Sequence, residues 1–532
     1  MEDSEPTQRT ETGRHATAVA AGILFSRIAG LIRDRVFAHY FGNSDAADAF
    51  RAAFRIPNFL QNLFGEGVLS ASFIPVYANL IARESREEAD RLASAIFCLL
   101  SLVISFLVLI GILATPLFID AVTPGFTGAK RELTISLVRI LFPGAALLAL
   151  SAWCLGILNS HRRFFISYTA PVAWNLMMIA SLVGFGSHLE QQSLSKAVAW
   201  GSVAGSALQF AVQLPQVVRL MGRFRMSAGL GIESVQTVIR NFFPVFLGRG
   251  VVQLSGYVDA LLASFLPTGA LSALVYAQTL YMLPVSLFGM SVSAAELPIL
   301  SSASGEAGEV QPYLRNRLNA GLRQIAFFII PSAVAFLALG DVIAGAVYQT
   351  GRFTRGDTVY VWAILAGSAV GLLATTLGRL YASMYYALKD TRTPLRYAVL
   401  RVLLTAGLGY VCALPLPLLL GLDPRWGVVG LTASAGICGW LELGLLRHSL
   451  TGRIGKTGLP ASFVFKLWVA ALTGAAAGWA GKALMGLTHP VLLAIVSLGL
   501  YGMGYFGVAA LFRVPEAGRS VRRLTEFFDS WR

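Results

Sequence analysis

Apolar residues along this chain fall into long, nearly unbroken runs separated by short charged connections. A helix crosses the ~30 Å hydrocarbon core of a bilayer with about 20 mainly apolar residues, and runs of that length begin near Ala16, Asp48, Leu92, Leu133, Phe165, Leu194, Phe242, Leu271, Leu322, Val359, Pro394, Gly427, Ala461 and Val491. The pattern predicts an all-α polytopic membrane protein with about 14 transmembrane helices. Polar residues and glycines interrupt the second and eighth runs. Alternate connections carry roughly 25 Lys and Arg on the side shared with both termini and roughly 7 on the other, which places both termini in the cytoplasm.

Composition agrees. Of 532 residues, 55% are hydrophobic and 13% charged, about half the charged share of a soluble domain, and the mean hydropathy is +0.65. The start, MEDSEPTQRTETGRH, is polar and acidic and has none of the parts of a cleaved secretory signal, so removal of a leader is not expected. Cys98, Cys154, Cys412 and Cys438 stand singly in apolar segments as small hydrophobes. The net charge of +14 lies largely in loops such as RLMGRFR (219–225) and KDTRTPLR (389–396) and in the tail after Arg513, which argues against nucleic-acid binding. The six histidines are scattered, and no HExxH, nucleophile elbow or Asp-rich metal motif is present. An enzyme and a resident metal or cofactor are not expected.

The exceptions to apolarity carry the chemistry. FSRIAGLIRDR (25–35) and DAADAFRAAFRIPNFLQNLFGEG (45–67) place several charges inside the first two spans. Each ionised side chain at the bilayer centre costs roughly 3 kcal/mol, so the group must face a wet, protein-lined cavity with an anionic occupant. Arg27 and Asp34, seven apart, share a helix face; Arg33 joins it only if the helix breaks at Gly30. Asp48, Arg51, Arg55, Asn58, Asn62 and Glu66 fall at spacings of three and four, a polar stripe expected to face the cavity, with Arg51 paired locally to Asp48. Arg35, near a span end, reads as a snorkelling residue. Pro57, Gly65 and Gly67 are positions where this helix can break.

A repeat is legible at an offset of about 220 residues. LFGEGVLSAS (63–72) matches LFGMSVSAAE (287–296), each followed by a proline, Pro75 and Pro298; Arg27 pairs with Arg249, and ILNSHRRF (157–164) with ALKDTRTP (387–394). Six spans separate the copies, so they share orientation, as two lobes related about the membrane normal. The expected layout is a tail (1–14), an N-lobe of helices 1–6 (15–220), a C-lobe of helices 7–12 (221–450), two further helices (451–512) and a basic tail (513–532), with a central cavity between the lobes.

FSRIAGLIRDRVFAHYFG, DAADAF, RIPNFLQNLFGEGVLSASFIPVY, TPGF (123–126), ILNS…FF, QTGRFT (349–354) and ALKDTRTP resemble the MurJ (MviN) lipid II flippases of the MOP transporter superfamily, over residues 16 to about 510. The resemblance implies a bacterial inner-membrane protein that moves an undecaprenyl-pyrophosphate-linked peptidoglycan precursor to the periplasmic leaflet by alternating access. Membrane lipids and the cell-wall synthesis machinery are the implied partners, and Na+, H+ or the membrane potential the candidate driving forces. Arg27, Arg33, Asp34, Asp48, Glu66 and Arg379 match the family's functional positions. Arg55 and Arg249 join the expected substrate ligands, because guanidinium stays ionised and its fork matches phosphate oxygens. Asp34, Asp48, Glu66 and Glu296 are expected as gating or charge partners, with Glu296 the partner of Arg249.

Departures from the family pattern concentrate in the second lobe. Gln61, Gln278 and Thr279 stand where relatives carry charges, and Thr405 and Gly409 replace a polar pair, so of a sodium site known in some members only Asp259 is retained; Arg401 is a fixed cation that could stand in its place. Arg249 and Glu296 are ionisable where the family usually has none. Besides lipid II transport, the residues admit a flippase for another polyprenyl-pyrophosphate glycan, a cation-coupled exporter of small organic molecules, and a binding protein that has lost transport.

Overall fold

The computed structural model describes residues 5–518 except 65, 226, 228, 303–306 and 485–488; the side chains of 5–21, 23, 66, 67, 244, 245, 247–255 and 307–309 also lie outside the description. The described residues are helical, with no strand among them. Two compact units divide the chain, one of residues 1–271 with 350–352, the other of residues 272–349 with 353–532.

The first unit contains α1 (Glu5–Phe41), α2 (Asp45–Phe64), α3 (Glu66–Ser72), α4 (Ile74–Ala82), α5 (Arg86–Leu113), α6 (Thr115–Val122), α7 (Gly128–Ser160), α8 (Phe164–Phe185), α9 (Gln191–Leu220) and α10 (Glu233–Ser264). Helix α7 is its centre and packs on α2, α5 and α9, while α1 lies along α8. Small and aromatic residues fill that centre, among them Ala149, Trp153, Cys154 and Ile157. The second unit contains α11 (Ala270–Pro284), a π-helical stretch (Val285–Met290), α12 (Ser291–Ser301), α13 (Ala307–Tyr348), α14 (Arg355–Ala387), α15 (Arg392–Ala413), α16 (Pro415–Leu419), α17 (Gly427–Ile454), α18 (Ala461–Leu484) and α19 (Pro490–Leu511). Its centre is α14, packed on α13 and α17, with α18 and α19 paired against α13. Backbones meet closely there: a Cβ on Gly371 of α14 would lie 2.3 Å from the Cα of Gly436 of α17, the small-residue contact by which membrane helices associate.

Twelve helical stretches of the described residues are long and apolar enough to cross a membrane, and they coincide with twelve of the fourteen expected spans. The other two, expected near Ala16 and Phe242, are α1 and α10, which contain many of the side chains outside the description. The chain is a multi-pass membrane protein. The expected lobe boundary at 220/221 and the packing boundary at Leu271 differ by one helix, because α10 packs on α2, α3 and α5.

The second copy of the LFG motif lies in an irregular helix. In the first unit Pro57 lies inside α2 and Gly65 lies outside the described residues; in the second, the π-helical stretch begins after Pro284 and includes Leu287–Gly289. Irregular helix at membrane depth belongs to cavity walls and functional positions.

Candidate functional site

Asp34 is the hub of the first unit's charges. Its side chain is 6% exposed, and one carboxylate oxygen accepts from Arg33 Nη2 at 3.1 Å and Arg51 Nη2 at 3.2 Å. Both guanidiniums lie over rings: Arg33 is 5.1 Å from the Trp174 centroid and Arg51 4.4 Å from that of Phe37. Salt bridge and ring together keep two cations ionised inside the protein. Arg51 was expected to pair with Asp48, three residues away. The α1–α2 hairpin instead brings Asp34 of α1 against it. Helix α1 is continuous through Gly30, so Arg33 reaches Asp34 as a chain neighbour and not through a kink.

Asp48, expected to face a cavity, is buried. It is 1% exposed, accepts from Lys130 Nζ at 2.7 Å and receives the Gly269 backbone N–H at 2.8 Å. Asp45, one turn earlier, accepts from the same Lys130 at 2.9 Å and from Thr268 Oγ1 at 2.9 Å. The start of α2, the start of α7 and the loop after α10 are thereby tied at one end of the unit. The TPGF loop joins this cluster, since Gly125 N–H donates to Ser264 Oγ at 3.1 Å. Nearby, His39 Nδ1 lies 2.9 Å from Thr350 Oγ1 and its carbonyl accepts from Arg352 N–H, with Gly351 at φ +55° packed so closely on His39 that a Cβ would lie 2.4 Å from the His39 oxygen. Lys130 was missed by the sequence reading, because it sits at a helix start in what reads as a loop.

Arg55 reaches α10. Its Nη1 donates to the Gly256 carbonyl at 2.7 Å, and Tyr257 O–H donates back to the Arg55 carbonyl at 2.8 Å. Asp259, expected as a cation-site residue, is within electrostatic reach of the Arg55 guanidinium. Arg27 is exposed on α1 and forms no ion pair with a described residue. The side chains of Glu66 and Arg249 lie outside the description. An apolar cavity of about 310 Å³ between α5 and α10 is walled by Phe64, Phe242, Phe243 and Phe246.

In the second unit Glu296, the expected partner of Arg249, accepts from Arg317 Nε of α13 at 2.7 Å. The reason is the helix order: α13 follows α12 directly and lies beside it. Arg379 is exposed on α14. Arg401 is paired, its Nη1 lying 3.1 Å from Glu442 Oε2 of α17. Among the described residues no group of three His, Cys, Asp or Glu is placed to hold a metal ion.

The sequence model of the family described as Lipid II flippase MurJ matches residues 37–498. The chain belongs to that family. Among curated MurJ relatives, the lipid II flippase MurJ of Burkholderia cenocepacia is 31% identical over 447 residues, 83% of this chain and 84% of its own length. A probable lipid II flippase MurJ from Bdellovibrio bacteriovorus is 30% identical over 542 residues, covering 97% and 98%. A solved MurJ structure in an inward closed conformation superposes with a TM-score of 0.74 at 26% identity, over 93% of this chain and 98% of that one. An inward-facing MATE multidrug transporter of the MOP superfamily shares the fold, with a TM-score of 0.65 at 16% identity, over 80% and 95%. The MurJ fold thus carries Arg33, Asp34 and Arg51 in one cluster, Asp45, Asp48 and Lys130 in a second, and Arg55 with Asp259 in a third, all within the first unit.

Proposed function

We propose that this chain moves lipid II, the undecaprenyl-pyrophosphate-linked peptidoglycan precursor, from the cytoplasmic to the periplasmic leaflet of the bacterial inner membrane by alternating access, with both termini in the cytoplasm. The observation that carries the reading is the Asp34 cluster. One buried carboxylate orients two guanidiniums, leaving a net positive charge on two membrane helices, and an isolated charge there costs roughly 3 kcal/mol unless an anion offsets it. A pyrophosphate supplies that anion, and the forked guanidinium is the side chain suited to grip it. Arg27, exposed on the same helix, adds a further cation, and the phenylalanine-walled cavity between α5 and α10 offers an apolar companion for a prenyl chain. The shared MATE fold keeps a cation-coupled exporter as the second reading, but such an exporter needs a cavity ruled by carboxylates, and here arginines outnumber them.

The test is transport by variants. In proteoliposomes carrying labelled lipid II, Arg33→Ala and Arg27→Ala are expected to lower flipping at least tenfold with normal insertion, and Arg33→Lys to rescue poorly because a point charge lacks the fork. Flipping by Arg33→Ala at the wild-type rate would remove this cluster from the mechanism.

A further inference from the structure

The second unit holds a group of charges at membrane depth that the Asp34 site does not explain. Arg401 lies ~13 Å along α15 from its first residue, Arg379 ~12 Å along α14 from its last, and Glu442 ~18 Å along α17 from its last, at 1.5 Å per residue. All three lie more than two turns inside helices long and apolar enough to cross a membrane. They share one face. Tyr281 O–H lies 2.7 Å from Thr375 Oγ1, one turn before Arg379 on α14, and its hydroxyl is within electrostatic reach of both Arg379 and Arg401. A Cβ on Gly439 of α17 would sit 3.0 Å from Thr375 Cγ2, and Glu442, three residues on, is on that side of α17.

Charge balance separates this group from a plain staple. Arg401 and Glu442 neutralise each other at 3.1 Å, but Arg379 adds a second guanidinium and forms no ion pair with a described residue. Two cations and one carboxylate leave one positive charge on the face. The asymmetry within the pair points the same way: the Glu442 side chain is 14% exposed and that of Arg401 34%. Glu442 therefore braces the guanidinium from its more buried side, and Arg401 keeps about a third of its side-chain surface exposed. Tyr281 does not compete for an anion. Thr375 Oγ1 donates to the Gly371 carbonyl at 2.9 Å, so it accepts from Tyr281, whose one O–H is thereby used.

We propose that Arg401 and Arg379 form a second anion site in this unit, specific for a polyprenyl-linked diphosphate, with Glu442 as the positioning residue that fixes the Arg401 fork. This deepens the lipid II reading and rests on it for the identity of the glycan, though not for the site. It gives Arg401 a role as ligand in place of a stand-in for a coupling cation.

The experiment measures binding to the full chain in nanodiscs, with four probes: lipid II, a polyprenyl diphosphate bearing no peptide, phosphatidylglycerol and inorganic diphosphate. Arg401→Gln is expected to weaken lipid II binding ~10- to 100-fold, the range for a lost charge-assisted bond; Arg401→Lys should recover little, and Glu442→Gln should cost a smaller factor that Glu442→Asp partly restores. The double variant Arg401→Leu with Glu442→Leu leaves no unpaired charge, so it is expected to fold with wild-type thermal stability and bind as weakly as Arg401→Gln. Wild-type affinity in that double variant, or in Arg401→Lys, would overturn the proposal, as would phosphatidylglycerol bound as tightly as the diphosphates in an Arg401-dependent way. Binding of the plain polyprenyl diphosphate but not lipid II, with the same dependence on Arg401, would uphold the site and overturn the lipid II reading instead. Failure of the wild type to bind any of the four probes would overturn both.

Discussion

Replacing Asp34 by Asn removes one negative charge and leaves two guanidiniums facing a neutral amide. Each ion pair, with charges about 4 Å apart and an effective dielectric constant near 20, is worth ~4 kcal/mol before desolvation. Burial takes back much of this, and removing one partner of a buried pair costs ~3–5 kcal/mol in practice. Asp34 is nearly fully buried while Arg33 and Arg51 keep 17% and 12% of their side-chain surface, so the lower end, ~3 kcal/mol, is expected. For a unit of this size that lowers Tm by roughly 6–12 °C. The assay is thermal unfolding of purified protein for the single variants Asp34→Asn and Arg51→Gln and for the double variant. The double variant should regain about half the loss, because one of the two stranded cations is gone, giving a coupling of more than ~1 kcal/mol in the cycle. An Asp34→Asn protein as stable as the wild type but unable to flip lipid would refute the reasoning: the carboxylate would then act in transport and not as the clamp for two arginines.

Three further outcomes follow from the same geometry. Lys130→Met is expected to destabilise the first unit by ~2–3 kcal/mol, since it strands the buried Asp48 carboxylate, and adding Asp48→Asn should not deepen the loss; unchanged unfolding of Lys130→Met would remove the cluster's structural role. Trp362 N–H donates to the Phe336 and Leu337 carbonyls, both at 3.1 Å, just before the non-helical Leu339 of α13, so Trp362→Phe should cost ~1–3 kcal/mol by leaving those carbonyls unpaired, readable as a lowered Tm. His161, in the loop after α7, is held below the usual histidine range first by burial and then by Arg86. Its neutral form is favoured by folding, so this stability is complete above pH ~6.5 and is lost as pH falls through the depressed folded value; His161→Asn should flatten the dependence of Tm on pH below about 6.5, and a slope unchanged in the variant would count against the assignment.

The spans were legible because apolar length is a one-dimensional property, and twelve of the runs read from the sequence reappear as membrane-length helices. The glycine of the second LFG motif, Gly289, lies in a π-helical stretch that apolar periodicity alone does not announce. The candidate ligands of the first two spans were legible as residue types, and their partners were not. Spacing along one helix suggested Arg51 with Asp48, but a buried carboxylate recruits whichever cation the fold brings beside it, and that is Lys130, 82 residues on. Glu296 accepts from Arg317 of α13, 21 residues on, while the side chain of Arg249, its expected partner, lies outside the described residues. The basic tail reads as a solvated appendage, yet Glu516 at its start is 7% exposed and holds Arg323 of α13 at 3.0 Å. Such pairings depend on which helices pack together, which local spacing does not encode.

The central claim is that this chain carries lipid II across the membrane, and the measurement that tests it most directly is lipid II accessibility in living cells. A bacterium depleted of its resident flippase, expressing this chain in its place, is treated with an agent that cleaves or labels lipid II only at the periplasmic face. The account predicts that growth is restored, that periplasmic lipid II returns to about the wild-type share, and that Arg33→Ala restores neither. A chain that inserts in the membrane at normal levels while lipid II stays cytoplasmic would contradict it.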